Sequence, residues 1–288
     1  MIKKRSVNML LLDEAVTGRI RAGIANWTGV VFKVPRTYLS ESKNRPELQQ
    51  TGVYLLFGEA DGEKDGCVYV GQASERANGN GILGRIFEHD KNPNKNYWQE
   101  AIIITTTDNS LGATEITYLE SQLYALAKQT NRYEVMNINE PTSGNVTETT
   151  EAEMSAFLEN VTVLVGMLGY RVFESLTKEG TKSRPAISFY LKESGADAKM
   201  QMTDEGFVVL AGSKLNLKEY ASCSPGVQQR RKELTQAKII DENGILKENR
   251  LFKSPSGASM FCLNRASNGK TVWKDEQGRQ LDAYLKEN

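Results

Sequence analysis

Residues 52–72 read GVYLLFGEADGEKDGCVYVGQ, two short apolar runs on either side of an acidic, glycine-bearing turn. VYLLF and CVYV are too short for helices and rich in β-branched and aromatic residues, so the segment is a β-hairpin. No other feature constrains the fold as tightly. A hairpin makes its two strands antiparallel neighbours, whereas a doubly wound sheet opens with a strand–helix–strand crossover. A short helix follows from about Ile82 to His89, then a turn at NPNKN (92–96) and a β-branched run, AIIITTT, at 101–107. Within 112–130, Ile116, Leu119, Leu123, Leu126 and Ala127 recur at helical spacing. The middle of the chain is therefore β-β-α-β-α, which predicts an α/β (α+β) fold with a short, mostly antiparallel sheet.

The flanks divide by turn chemistry and composition. Residues 18–35 carry two β runs around Asn26-Trp27-Thr28, so 1–50 reads as a basic N-terminal β-hairpin segment. The central unit occupies 51–141 and stops at Pro141. TSGNVTETT at 142–150 has linker composition, and 151–185 is a connecting region whose Ala152–Gly169 portion is apolar enough to be a buried helix. A second α+β domain fills 186–288. It contains three β runs (AISFYL, AKMQM and GFVVLAGS), a basic helix from 226, and a closing strand, Ser-capped helix, turn and Trp-containing strand.

Charge and cysteine content exclude several classes. No apolar run approaches the roughly 20 residues of a membrane span. The apolar core of the N-terminal MIKKRSVNMLLLDEAV stops at Leu12 before acidic residues, which is not a signal peptide. Three scattered cysteines, Cys67, Cys223 and Cys262, make neither a disulfide framework nor a zinc site, so a reduced cytoplasmic protein is expected. Net charge is zero, but its distribution is uneven. Residues 1–50 hold nine Lys/Arg against four Asp/Glu, 52–141 hold seven against 13, and 201–288 hold 14 against 11. Both ends can therefore present cations to a polyanion, although solvated surface charge accounts for the same numbers.

Three motifs bear on chemistry. Gly79-Asn80-Gly81-Ile82-Leu83-Gly84 is formally GxGxxG, but the hairpin before it and the residues between Gln72 and Gly79 remove the dinucleotide-binding context. Arg85 and His89, the sole histidine, stand four apart on one helix and share an edge of its apolar stripe. Glu120 flanks the apolar face of the 112–130 helix and is partly desolvated there, as befits a metal ligand; Glu115 flanks the other edge, and helical geometry does not choose between them. Taken singly, each of these is an ordinary surface or boundary residue.

Taken in order, GVY at 52–54, YVG at 69–71, GRIFEH at 84–89, YLESQL at 118–123 and Asn137 resemble the GIY-YIG nuclease domain over roughly residues 51–141. The basic N-terminal segment and SPSGASMFCLNRASNGKTVW are similar to bacterial GIY-YIG proteins with an appended C-terminal domain of unknown function. The resemblance implies a metal-dependent endonuclease acting on DNA in restriction, repair or defence against foreign DNA. The alternative it leaves is a catalytically inactive module that binds nucleic acid or protein on the same fold. Tyr54 would be the general base or would position the water, with Tyr69 beside it. Arg85 would bind phosphate, and His89 would relay a proton or donate a second hydrogen bond. Glu120 would hold one divalent cation, Mg²⁺ or Mn²⁺. Asn137 would bind phosphate or orient the site, with Asn139 close enough to compete. Val53 and Val70 replace the isoleucines of the family name without chemical consequence. Because the central unit is acidic, DNA contacts would fall to Lys33 and Arg36 in the N-terminal segment and to Arg230, Arg231 and Lys232 in the C-terminal helix. Nothing in the sequence sets the oligomeric state.

Overall fold

The computed structural model describes residues 4–60, 64–74, 81–177 and 187–287. Most of the glycine-rich loop, including Gly79 and Asn80, lies outside the described residues, as does part of the acidic turn. The chain forms two compact units, Met1–Ser175 and Leu176–Asn288.

The first unit is built on β1 (Val7–Leu11), β2 (Ile20–Ile24), β3 (Gly29–Pro35), β4 (Gly52–Gly58), β5 (Cys67–Ala73), α1 (Ile82–Asp90), β6 (Trp98–Thr106), α2 (Ala113–Thr130), β7 (Glu134–Val135) and α3 (Glu148–Met167). Its seven strands run in the order β1-β2-β3-β6-β4-β5-β7. All pairings are antiparallel except β5 with β7. The fold is thus α+β, and β4 and β5 form the expected hairpin.

Both faces of this sheet are covered, which explains why its inner strands read as unbroken apolar runs rather than alternating ones. On one face Val53, Leu55, Val68 and Ile102 pack with Ile116, Leu119 and Leu123 of α2 and Val161 and Leu164 of α3. On the other, Tyr54, Leu56 and Ile103 pack with Ile82, Leu83 and Ile86 of α1. Each fully buried Val, Leu, Ile or Phe contributes roughly 1.5–3 kcal/mol, so the central strands anchor the unit.

Several expected boundaries move. The N-terminal segment 1–50 does not stand apart from 51–141, because β3 pairs with β6 from Gly29↔Thr106 to Pro35↔Glu100. Its GVVFKVP is buried on both faces and needs neighbours on both. Residues 148–150, placed in the linker by composition, begin α3, where the Thr147 side chain accepts the Thr150 N–H. That helix buries Phe157, Val161 and Leu164 in the first unit's core, so the division falls after Ser175 rather than at 141. Val7–Leu11, read only for targeting features, is a strand.

The second unit has β8 (Ser188–Glu193), β9 (Ala196–Thr203), β10 (Gly206–Val209), α4 (Pro225–Gln236), β11 (Arg250–Phe252), α5 (Pro255–Leu263), α6 (Gly269–Val272) and α7 (Leu281–Glu287). Its antiparallel sheet runs β11-β10-β9-β8. Ser254 caps α5 by accepting the Gly257 N–H, as expected. Trp273 is not in a strand: it follows α6, fully buried, with its indole N–H donating to the Pro255 carbonyl.

Candidate active site

The two tyrosines reach one another because of register and glycine. Leu56 pairs with Tyr69 and Tyr54 with Gly71, which puts both phenols on the face covered by α1. Their ring centroids are 6.3 Å apart. A Cβ on Gly71 would lie 2.5 Å from Cζ and Oη of Tyr54, so this glycine is the space through which the Tyr54 phenol crosses β5. Gly52 is required for a different reason, since a Cβ there would meet the Ile104 carbonyl at 2.2 Å. The glycines of GVY and YVG are thus close-approach positions, one to backbone and one to the site.

Helix α1 brings the next pair. It starts at Gly81, where a Cβ would meet the Gln49 carbonyl at 2.0 Å, and the Ile82 N–H donates to Gln50 O at 3.1 Å. Ile82, Leu83 and Ile86 seat the helix on the sheet, and the same face carries His89, which is only 3% exposed. His89 Nε2 lies 2.7 Å from Tyr54 Oη. Burial, then Lys95 and Arg85, lower its pKa to about 4, so the ring is neutral and, in the free protein, a weak base. Among the described residues its buried Nδ1 has no hydrogen-bond partner. Arg85 hydrogen-bonds the Tyr54 hydroxyl and forms a 2.5 Å ion pair with Glu88. Burial raises the Tyr54 pKa above the usual phenol value, with Tyr69 adding to it and Arg85 opposing. The free protein therefore holds Tyr54 as a phenol, not a phenolate.

Glu120 arrives from the other layer. Ile116, Leu119 and Leu123 fix α2 against the opposite face, leaving the half-buried Glu120 at the edge of β5, hydrogen-bonded with Gln72. Burial pushes its pKa up to about 7, against the pull of Gln72 and Arg85. Glu115 is spent elsewhere: its carboxylate accepts the Gly112 N–H at 3.0 Å and caps α2. Between the layers, Gln72, Ala73, Ser74, Arg85, Ala113 and Thr117 line a cleft of about 450 Å³. Among the described residues no three His, Cys, Asp or Glu side chains cluster as a closed metal site. A lone carboxylate still suits a hard cation such as Mg²⁺, which keeps most of its waters and shares substrate phosphates.

The other expected residues have different duties. The Asn137 side chain accepts from Val70 N–H at 3.0 Å and donates to Val70 O at 2.8 Å, so its amide is engaged along β5. It orients the strand that carries Tyr69; Asn139 is simply exposed. Lys33 pairs with Glu100 at 3.0 Å. Arg36 pairs with Asp90 at 2.7 Å, also donates to the Asp90 carbonyl, and stacks on Trp98, which ties down the end of α1. In the second unit Arg231 is buried and donates to the carbonyls of Asn216 and Phe261, so it is a core strut rather than a DNA contact. Arg230 lies over Phe252, and Lys232 alone of the three is exposed. The sequence reading passed over Lys95, whose Nζ sits 4.1 Å from the Tyr69 ring centroid, and Gln72. Gln72 directly follows YVG and was open to notice; Lys95 sits in a turn whose return toward the hairpin is a tertiary fact.

Residues 189–285 match the model of a domain of unknown function, DUF4357, which spans the sheet and helices of the second unit. No curated protein and no solved structure matches the chain. Among the described residues no helix is long and apolar enough to cross a membrane.

Proposed function

We propose that the first unit is a metal-dependent endonuclease of the GIY-YIG type that hydrolyses phosphodiester bonds in DNA. The observation that carries this reading is the 2.7 Å contact between Tyr54 and the neutral His89, with Arg85 on the same hydroxyl. A phenol held protonated by burial is a poor base by itself, yet it works as a relay. The attacking water gives its proton to Tyr54 Oη as the Tyr54 proton passes to His89 Nε2, a transfer that requires the negative charge of the bound phosphate to raise the imidazole pKa from its value of about 4 in the free protein. Arg85, its charge secured by Glu88, places a planar pair of donors where charge builds on the phosphate. Lys95 adds a second cation near Tyr69, and solvent protonates the departing oxygen. Glu120 holds the divalent cation, which when bound neutralises the scissile phosphate.

The test is digestion of single-stranded, duplex and branched DNA and of RNA with Mg²⁺ or Mn²⁺, comparing the wild type with Tyr54→Phe, Arg85→Ala and Glu120→Ala. Each substitution should abolish cleavage while the fold survives by circular dichroism. Cleavage that persists undiminished in folded Arg85→Ala and Glu120→Ala proteins removes the assignment.

A further inference from the structure

The two ends of the seven-stranded sheet are treated differently. At one end β7 pairs with β5 over two residues, and the Asn137 side chain then occupies both backbone groups of Val70. That edge is closed. At the other end β1 is the last strand, and its sequence, VNMLL, has no charge and no proline. Its register to β2 runs unbroken from Val7↔Ile24 to Leu11↔Ile20, without a bulge. Met9, Leu10 and Leu11 are 43%, 56% and 42% exposed. Proteins ordinarily guard such an edge with lysine, proline or a bulge, because an open edge recruits another strand.

We propose that β1 is a self-association edge, through which two copies of this chain pair antiparallel about a two-fold axis at Met9. Backbone parity favours it. The Ser6 carbonyl accepts the Ala25 N–H, and the Leu12 N–H donates to the Arg19 carbonyl. Even-numbered residues therefore turn their backbone groups toward β2, and Val7, Met9 and Leu11 turn theirs outward. A two-fold axis at Met9 pairs Met9 with its mate and Val7 with the partner's Leu11, so every outward group of one strand meets an outward group of the other. The same register brings apolar side chains opposite apolar ones on one face. Exposed Lys4 precedes β1 and exposed Glu14 lies in the bend that follows it, so an antiparallel second copy brings opposite charges to the same ends of the paired strands. Shifting the axis by one residue keeps the parity but leaves one outward position on each strand unpaired. A self-complementary strand fits a second copy better than a foreign peptide. The inference does not rest on the nuclease reading.

Sedimentation velocity of the full chain over a wide concentration range should show a species of twice the 32.1 kDa chain mass. Met9→Pro removes only an outward N–H, so β1–β2 pairing survives and the protein becomes monomeric. In Met9→Cys the paired Cα atoms lie about 5.5 Å apart, inside the roughly 4.4–6.8 Å range of disulfides, so mild oxidation crosslinks the dimer. Cys67, Cys223 and Cys262 are buried and do not compete. Lys4→Glu leaves the strand backbone untouched and weakens the dimer, and adding Glu14→Lys restores it. A wild type that is monomeric throughout overturns the proposal. So does a dimer that ignores both the proline and the charge substitutions, because it uses another surface.

Discussion

Gly71→Ala sets two effects of opposite sign against each other. In a strand with ordinary φ, replacing glycine by alanine removes unfolded-state freedom and should stabilise by about 0.4–1 kcal/mol. At Gly71 the added methyl would fall 2.5 Å from Tyr54 Cζ and Oη, well inside contact distance. The ring has little room to yield: it is 1% exposed and packed beside Tyr69 and His89. Overpacking a buried site costs roughly 1–3 kcal/mol. If the phenol is displaced, His89 loses the bond at Nε2 while Nδ1 already lacks one, a further penalty of about 1–3 kcal/mol. The clash wins, with a net loss of about 2–4 kcal/mol. At roughly 2–4 °C per kcal/mol for a unit of this size, calorimetry should record a fall of about 4–16 °C in the first unit's transition. In a Tyr54→Leu background, where the ring is gone, the same substitution should be neutral or slightly stabilising. An equal loss in both backgrounds would refute the reasoning, and so would an unchanged melting temperature for Gly71→Ala alone.

Glu120 and His89 should give opposing pH slopes. From 4.5 up to about 7 the folded state keeps a proton on Glu120 that the unfolded chain has released, so stability falls as pH rises. From 6.5 down to about 4 the unfolded chain protonates its histidine while folded His89 does not, so stability falls as pH drops. Glu120→Gln removes the first slope and should steepen the acid-side loss in urea titrations; an unaltered profile counts against the assignment. Mg²⁺ should raise the melting temperature more near pH 8 than near pH 6, and not in Glu120→Gln. Asn137→Leu should cost about 1–3 kcal/mol through the orphaned backbone of Val70, and Asn139→Leu almost nothing, by chemical denaturation. Arg231→Ala should lower the second unit's transition and leave the salt dependence of DNA binding unchanged; a changed salt slope with intact stability would return Arg231 to the surface.

The hairpin, α1, β6 and α2 were legible because each is a local pattern: short β-branched runs, a helical stripe, a turn between them. The long-range pairing of β3 with β6 was not, since a strand's own residues do not name its neighbour. Asn137 shows a second kind of limit. Its identity is visible in sequence, but whether its amide meets a phosphate or the Val70 backbone depends on how the chain returns to β5. The same holds for Arg231, which reads as a surface cation in a basic run and is a buried donor to two carbonyls.

The sequence by itself determined the α+β class and the antiparallel hairpin, because strand alternation and helical periodicity are short-range properties. Only the tertiary structure decided the rest. It spent Glu115 as a cap of α2 and left Glu120 half-buried beside Gln72, and it seated Tyr54 in the space above Gly71. It raised the carboxylate and lowered the imidazole pKa by burial. Those outcomes come from the packing of two helical layers on opposite faces of one sheet, a relation between residues far apart in the chain.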